Sequence, residues 1–191
     1  MRRITLLLFA LMVIAQWLVP AKMIYDSERV LYDGVLYKFK TRPIDPSDPF
    51  RGKYVTLSFE AEQYQTDTTR LFSSGQSVYV SIYPDSAGYA QVSGIFTFPP
   101  DNYDYLAASI RNSSVYGGKQ NLWIDFPFSR FYMEESKASE AEQQYWQAAA
   151  DSTQIVYALV SVKNGQAVLR DVLINERSVV DIVREINERE D

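Results

Sequence analysis

The chain opens on an apolar run and then changes its period. Between Ile4 and Val19 the polar side chains are Thr5 and Gln16, and the basic pair Arg2 and Arg3 stands in front. A basic start followed by such a run is a membrane-targeting pattern. Ile4 to Ile24 supplies the about 20 residues that a helix needs to span a bilayer core, provided Lys22 extends its amine to the interface. Two outcomes fit. In the preferred one the segment remains as an uncleaved signal anchor, with Trp17 at the interface. Pro20 is unfavourable for cleavage, and Ala21 to Tyr32 can continue the helix. In the other, a signal peptide is cut near Ala21 and the rest becomes a secreted or periplasmic protein. For the anchor, the positive-inside rule places Arg2 and Arg3 in the cytoplasm and everything from about residue 25 onward outside.

Past Asp33-Gly34 the apolar positions alternate, the period of half-buried strands. Val35, Tyr37 and Phe39 alternate with Leu36 and Lys38. Val55, Leu57, Phe59 and Ala61 alternate with Tyr54, Thr56, Ser58 and Glu60, and Val78, Val80 and Ile82 repeat the pattern. Pro84 to Gly88 turns the chain, and Tyr89 to Phe98 reads as the returning strand, stopped by Pro99-Pro100. Leu122, Ile124 and Phe126 mark another strand. Ile155 to Val162 and Gln166 to Ile174 flank Lys163-Asn164-Gly165, whose Asn-Gly pair supplies the positive φ angles of a two-residue hairpin turn.

Helical spacing appears in three places. Tyr103, Leu106, Ala107 and Ile110 predict a short amphipathic helix, with a flexible loop from Ser113 to Gly118 after it. Ser139 with Glu142 has capping-box spacing before a helix through Tyr145, Trp146 and Ala150. Ser178 with Asp181 has the same spacing before Val179, Ile182, Val183 and Ile186, which share one helix face. The fold class predicted is α+β. A single transmembrane helix occupies residues 1–32, and residues 33–191 form a mainly antiparallel β-rich domain, barrel-like or sandwich, with a few short helices.

Composition narrows the chemistry. There is no Cys and no His among the 191 residues, so thiol nucleophiles, imidazole bases, disulfides and the usual zinc sites are absent. A formal net charge of −5 lacks the basic footprint of a nucleic-acid binder. Any reaction would have to use carboxylates, Tyr, Ser, Thr, Lys or Arg.

The densest local constraint lies in Thr41-Arg42-Pro43-Ile44-Asp45-Pro46-Ser47-Asp48-Pro49-Phe50-Arg51, which runs on into Gly52-Lys53-Tyr54-Val55-Thr56-Leu57-Ser58-Phe59. Its prolines stiffen the loop, and Asp45 and Asp48 are placed to make Asx turns. Here the chain resembles the GDYXXLXY-domain family of bacterial membrane-anchored proteins, in which a proline-rich loop leads into Arg-Gly-Asp-Tyr and an extended strand. Lys53 stands at the motif's Asp, reversing the charge, and Phe59 stands at its second Tyr, keeping the ring without the hydroxyl. A second likeness is Phe126-Pro127-Phe128-Ser129-Arg130-Phe131-Tyr132-Met133-Glu134-Glu135, followed by an acidic helix and a hairpin. The resemblance implies a protein found beside polytopic membrane proteins, and it implies no particular reaction.

The candidate ligand- or partner-binding residues are Asp45, Asp48, Arg51, Tyr54, Arg130, Tyr132 and Glu134; no residue is singled out as catalytic. Arg51, Arg130 and Glu134 are expected to form a buried charged cluster that orders the two motif segments, because a guanidinium fork matches a carboxylate. Asp45 and Asp48 with Asp101 or Asp104 have the oxygen donors of a calcium site, but Asx turns explain the first pair equally well, and no metal or cofactor is expected. Tyr54, Tyr79, Tyr83 and Tyr89 either fill a sheet face or build a binding surface. The expected function is that of a non-enzymatic, membrane-anchored accessory protein of the bacterial cytoplasmic (inner) membrane, with its domain on the extracytoplasmic side against a polytopic partner and no nucleic-acid partner. The alternative is an envelope small-ligand or glycan-binding domain with weak carboxylate-based hydrolase activity.

Overall fold

The computed structural model describes residues 2–42, 54–67, 71–133, 135–151 and 153–190; at 2, 3, 5, 7, 10, 135–139, 189 and 190 it describes the backbone alone. The first helix, α1, covers Arg2–Asp33. It ends where the Gly34 amide donates to the Val30 carbonyl at 3.0 Å. A Cβ at Gly34 would lie 2.3 Å from that carbonyl oxygen, so only glycine lets the chain fold straight from helix into strand. Val30 is buried at this junction, and Lys163 donates to Asp33 at 2.8 Å.

Farther toward its start, α1 carries Ile4, Leu6, Leu8, Phe9, Leu11, Met12, Ile14, Trp17, Leu18 and Val19, each more than half exposed. They lie on all sides of the helix, because consecutive positions are separated by about 100°. Among the described residues no helix is long and apolar enough to cross a membrane. The transmembrane span expected from the sequence is therefore not carried by the described residues. Thr5, Leu7 and Ala10, which fall inside the apolar run, are positions where the backbone alone is described.

The remainder is α+β with mainly antiparallel sheets. Its strands are β1 (Val35–Lys40), β2 (Tyr54–Thr56), β3 (Gln63–Thr66), β4 (Ser77–Pro84), β5 (Ala90–Phe96), β6 (Tyr105–Tyr116), β7 (Lys119–Asp125), β8 (Arg130–Tyr132), β9 (Val156–Lys163), β10 (Gln166–Ile174) and β11 (Arg177–Ser178). Helices α2 (Glu135–Ala150) and α3 (Val179–Glu190) complete the chain. One sheet has the order β1-β9-β10-β11, another β3-β7-β6-β4-β5, and β2 pairs with β8 alone. The two larger sheets are tied together: Lys38 bridges Tyr89 in parallel, and the hairpin tip at Gly165 bridges Leu106, with the Ala107 amide donating to the Gly165 carbonyl at 2.8 Å. These links curl the strands into a nearly closed barrel.

Alternation explains the interior. Phe39, Val55, Val80, Leu106, Ile124 and Val160 are all at most 1% exposed. Phe39 is the hub of an aromatic cluster, with ring centroids 5.8 Å from Phe59, 5.7 Å from Phe126 and 5.0 Å from Phe128. Such edge-on contacts add to the area these rings bury. Outside the sheets, α2 turns Ala141, Tyr145 and Ala148 inward, and α3 turns in Val179 and Val183, as its spacing predicts.

Several expectations are corrected. Residues 105–110 are strand rather than helix, and the strand runs on through the expected loop to a tight turn at Gly117-Gly118. Neighbours on both sides, β4 and β7, supply the hydrogen bonds that decide this. The expected strand from Tyr54 to Ala61 is regular only as far as Thr56, and Glu60–Glu62 form a 3-10 turn. α2 begins at Glu135, so Ser139 lies inside it rather than at its cap. Ser178 does cap α3, with its Oγ accepting from the Val180 amide at 3.2 Å.

Candidate functional site

The β2–β8 ribbon carries the sequence-derived residues that the described structure contains. Tyr54 pairs with Tyr132, Val55 with Phe131 and Thr56 with Arg130. Because side chains alternate, Val55 and Phe131 point into the core and the other residues point out. On that outer face the Arg130 guanidinium sits 5.0 Å from the centroid of the Tyr54 ring, and the Tyr54 and Tyr132 rings are 5.5 Å apart. The hydrogen bond with Tyr132 and the two phenols beside it hold the Arg130 guanidinium even above its ordinary value. The result is an aromatic-cationic ladder in which Tyr132 is largely exposed. Arg130 itself is exposed, not buried as expected. Asp45, Asp48, Arg51 and Glu134 lie outside the described residues.

A buried charged cluster exists elsewhere, around Glu62, which is 1% exposed. Its Oε1 accepts from the Phe59 amide at 3.2 Å and its Oε2 from Ser58 Oγ at 3.0 Å. Arg42 Nη2 lies 3.4 Å and Arg111 Nη2 3.6 Å from Oε2. Arg42 Nε also donates to Ser58 Oγ at 2.7 Å, and Arg111 reaches Asp125 at 2.9 Å. With its amide oxygen turned toward them, Gln63 accepts from Arg42 Nη1 at 2.8 Å and from Trp123 Nε1 at 3.2 Å. Burial pushes the Glu62 carboxyl up, while Ser58, Arg111, the Phe59 amide and Arg42 pull it back. Tyr145 is fully buried beside Thr41 and Ser58, and that burial pushes its hydroxyl up to about 12.

This cluster binds the segment after β1 to the 3-10 turn and to β6 and β7, and its buried carboxylate, Glu62, is occupied by donors. Strand alternation predicts Glu62 on the outside. The 3-10 turn breaks that parity, and the only local cue is the spacing from Phe59 to Glu62, which matches the capping contact they make.

Other candidates have ordinary partners. Asp104 accepts from the Tyr37 hydroxyl at 2.7 Å, and with Asp101 it lines a polar cleft of about 460 Å³. Among the described residues no three acidic side chains converge as metal ligands. Tyr79 packs edge-on against Tyr105 and Tyr89 against Tyr157, so these tyrosines pair locally. Phe59, at the position where the motif has its second Tyr, is fully buried against Phe39, Phe126 and Phe128.

No curated protein and no solved structure matches the chain. A family model, that of the GDYXXLXY protein, matches residues 16–172, from the second half of α1 through most of β10. The match takes in the Tyr54 strand, the Glu62 cluster and the Arg130 strand together, and on it the chain belongs to the GDYXXLXY family.

Proposed function

We propose that this protein is a non-enzymatic accessory protein of the bacterial envelope. In this reading α1 is its single-pass anchor in the cytoplasmic (inner) membrane, the β-rich domain stands on the extracytoplasmic side, and a polytopic membrane protein is its partner. The observation that supports it is the surface of α1, where large apolar side chains from Ile4 to Val19 are exposed on every face. A helix apolar all round needs an apolar medium, and an anchor places it in one. The basic pair Arg2 and Arg3 fixes the orientation. The test places a photo-cross-linking residue at Leu11 or Trp17 of the full-length protein in cells. A discrete adduct with one multi-spanning protein, in a fraction that resists alkaline extraction, is expected. Release by alkaline extraction, or cross-links to lipid alone, would refute the anchor or the partner respectively.

A second reading is favoured by the Tyr54–Arg130–Tyr132 ladder: an envelope glycan or other small ligand stacks on the tyrosines while Arg130 binds its acidic groups. Retention on immobilised peptidoglycan fragments tests it. Replacing Arg130 and Tyr132 by Ala should abolish retention, and unchanged retention would remove this face from consideration.

A further inference from the structure

Two clefts meet where α1 docks on the domain. One, of about 360 Å³, is lined by Met23, Ser27 and Val30 of α1, by Pro127, and by Ala167 and Val168 of β10. The other, of about 320 Å³, carries Lys22, Arg29, Lys163 and Asn164. Asp26, Val30 and Gln166 line both, so the apolar and the basic compartment adjoin. Lys22 pairs with Asp26, while Arg29 and Lys163 share Asp33 at 3.7 and 2.8 Å. Three cations thus face two carboxylates, leaving one positive charge in excess.

We propose that this double cleft is a binding site for a phospholipid with an anionic headgroup, drawn from the outer leaflet of the membrane that holds α1. The inference rests on the anchor reading. In that reading Met23 and Ile24 close the membrane-embedded stretch, and Arg29 stands about 8 Å farther along the axis, at headgroup depth. The headgroup phosphate meets Lys22, Arg29 and Lys163, and one acyl chain turns out of the bilayer core into the compartment beside it, along Met23, Val30 and Val168. Each half of the ligand answers a feature of the cleft: the excess charge selects an anion, and the apolar compartment continues the exposed apolar surface of α1 at Met23 and Ile24. A lipid diffusing in the leaflet reaches the cleft sideways, with its headgroup staying at its own depth.

The test is native mass spectrometry of the full-length protein released from nanodiscs holding equal phosphatidylglycerol and phosphatidylcholine. Retention of phosphatidylglycerol over phosphatidylcholine by about fivefold, the factor that one cation near the membrane surface supplies, is expected. The preference should collapse in the double variant Arg29→Gln, Lys163→Gln, and Ser27→Trp, which fills the apolar compartment, should reduce retention of both lipids. Since Lys163 also holds Asp33, Lys22→Gln provides a variant that leaves that pair in place, and it should lower the preference in part. Equal retention of the two lipids by the wild type, or a preference that neither cationic variant reduces, would overturn the proposal. Alkaline extraction separates the two readings. Release from the membrane overturns the anchor and the lipid site together, whereas firm retention without lipid preference overturns the lipid site alone.

Discussion

Arg42 and Glu62 meet 3.4 Å apart at the edge of the core, the glutamate 1% exposed and the arginine side chain 30% exposed. The pair therefore joins a fully desolvated carboxylate to a cation that still reaches water. It ties Arg42, two residues past the end of β1, to the turn after β2, on either side of the motif loop.

Glu62→Ala leaves Ser58, the Phe59 amide, Arg42 and Arg111 without their shared acceptor. Losing one partner of a buried pair costs about 3–5 kcal/mol, and the solvent reach of both arginines puts this case near the lower figure. Glu62→Gln keeps an acceptor and should cost about half as much. Urea unfolding of the full-length protein in detergent measures both. A loss below the about 0.5 kcal/mol typical of surface sites would show that the cluster holds nothing together.

Two carboxylates give opposite pH trends. Burial raises Glu62 above its ordinary value of 4.5, so its contribution to stability is present below that value and is lost as pH rises through the folded-state value. Asp85 caps the β4–β5 turn, accepting from the Tyr89 and Ala87 amides at 2.9 Å, and these bonds hold it below its ordinary 3.8. Its contribution is present above 3.8 and is lost as pH falls through the folded-state value. Tm followed across the acid range should lose its decline on the high-pH side in Glu62→Gln and its decline on the low-pH side in Asp85→Asn. The same profile in all three proteins would contradict both assignments.

Phe39→Ala removes the ring at the centre of the aromatic cluster, where Phe39 is fully buried. A drop of about 4 kcal/mol is expected, since Phe59, just before the 3-10 turn, and Phe126 and Phe128, in the β7–β8 connection, are buried in place and cannot collapse fully into the space. Denaturant midpoints at unchanged slope would confirm it.

Gly165→Ala should destabilise by more than about 1 kcal/mol. Gly165 has φ of 83°, and a Cβ there would come 2.8 Å from the Tyr105 ring, at the hairpin tip that bridges the two sheets. Hydrogen exchange should show the Ala107 amide, bonded to the Gly165 carbonyl, losing protection first. Unchanged protection there would mean that the tip does not join the sheets.

Much of the fold is legible along the chain because its signals are local. Alternation marks β1 and β4, Asn164-Gly165 adopts the φ angles of 50° and 83° that its turn requires, and the inward face of α3 follows from spacing alone. Leu106 and Ile110 show where such reasoning stops. Positions four apart share a face in a helix and in a strand alike, so their spacing fits either, and pairing with β4 and β7 selects the strand.

The candidate site divides in the same way. The sequence by itself determined that Tyr54, Arg130 and Tyr132 belong to short motif segments, that imidazole and thiol chemistry are absent, and that one apolar helix precedes a β-rich domain. The tertiary structure alone decided that Arg130 faces outward over Tyr54 and that Glu62 is the buried carboxylate, held by Arg42 and Arg111. The direction of a side chain in a three-residue strand depends on which residue of the partner strand lies opposite it. The partners of a buried charge come from segments far apart in the chain, and no local period records that they will meet.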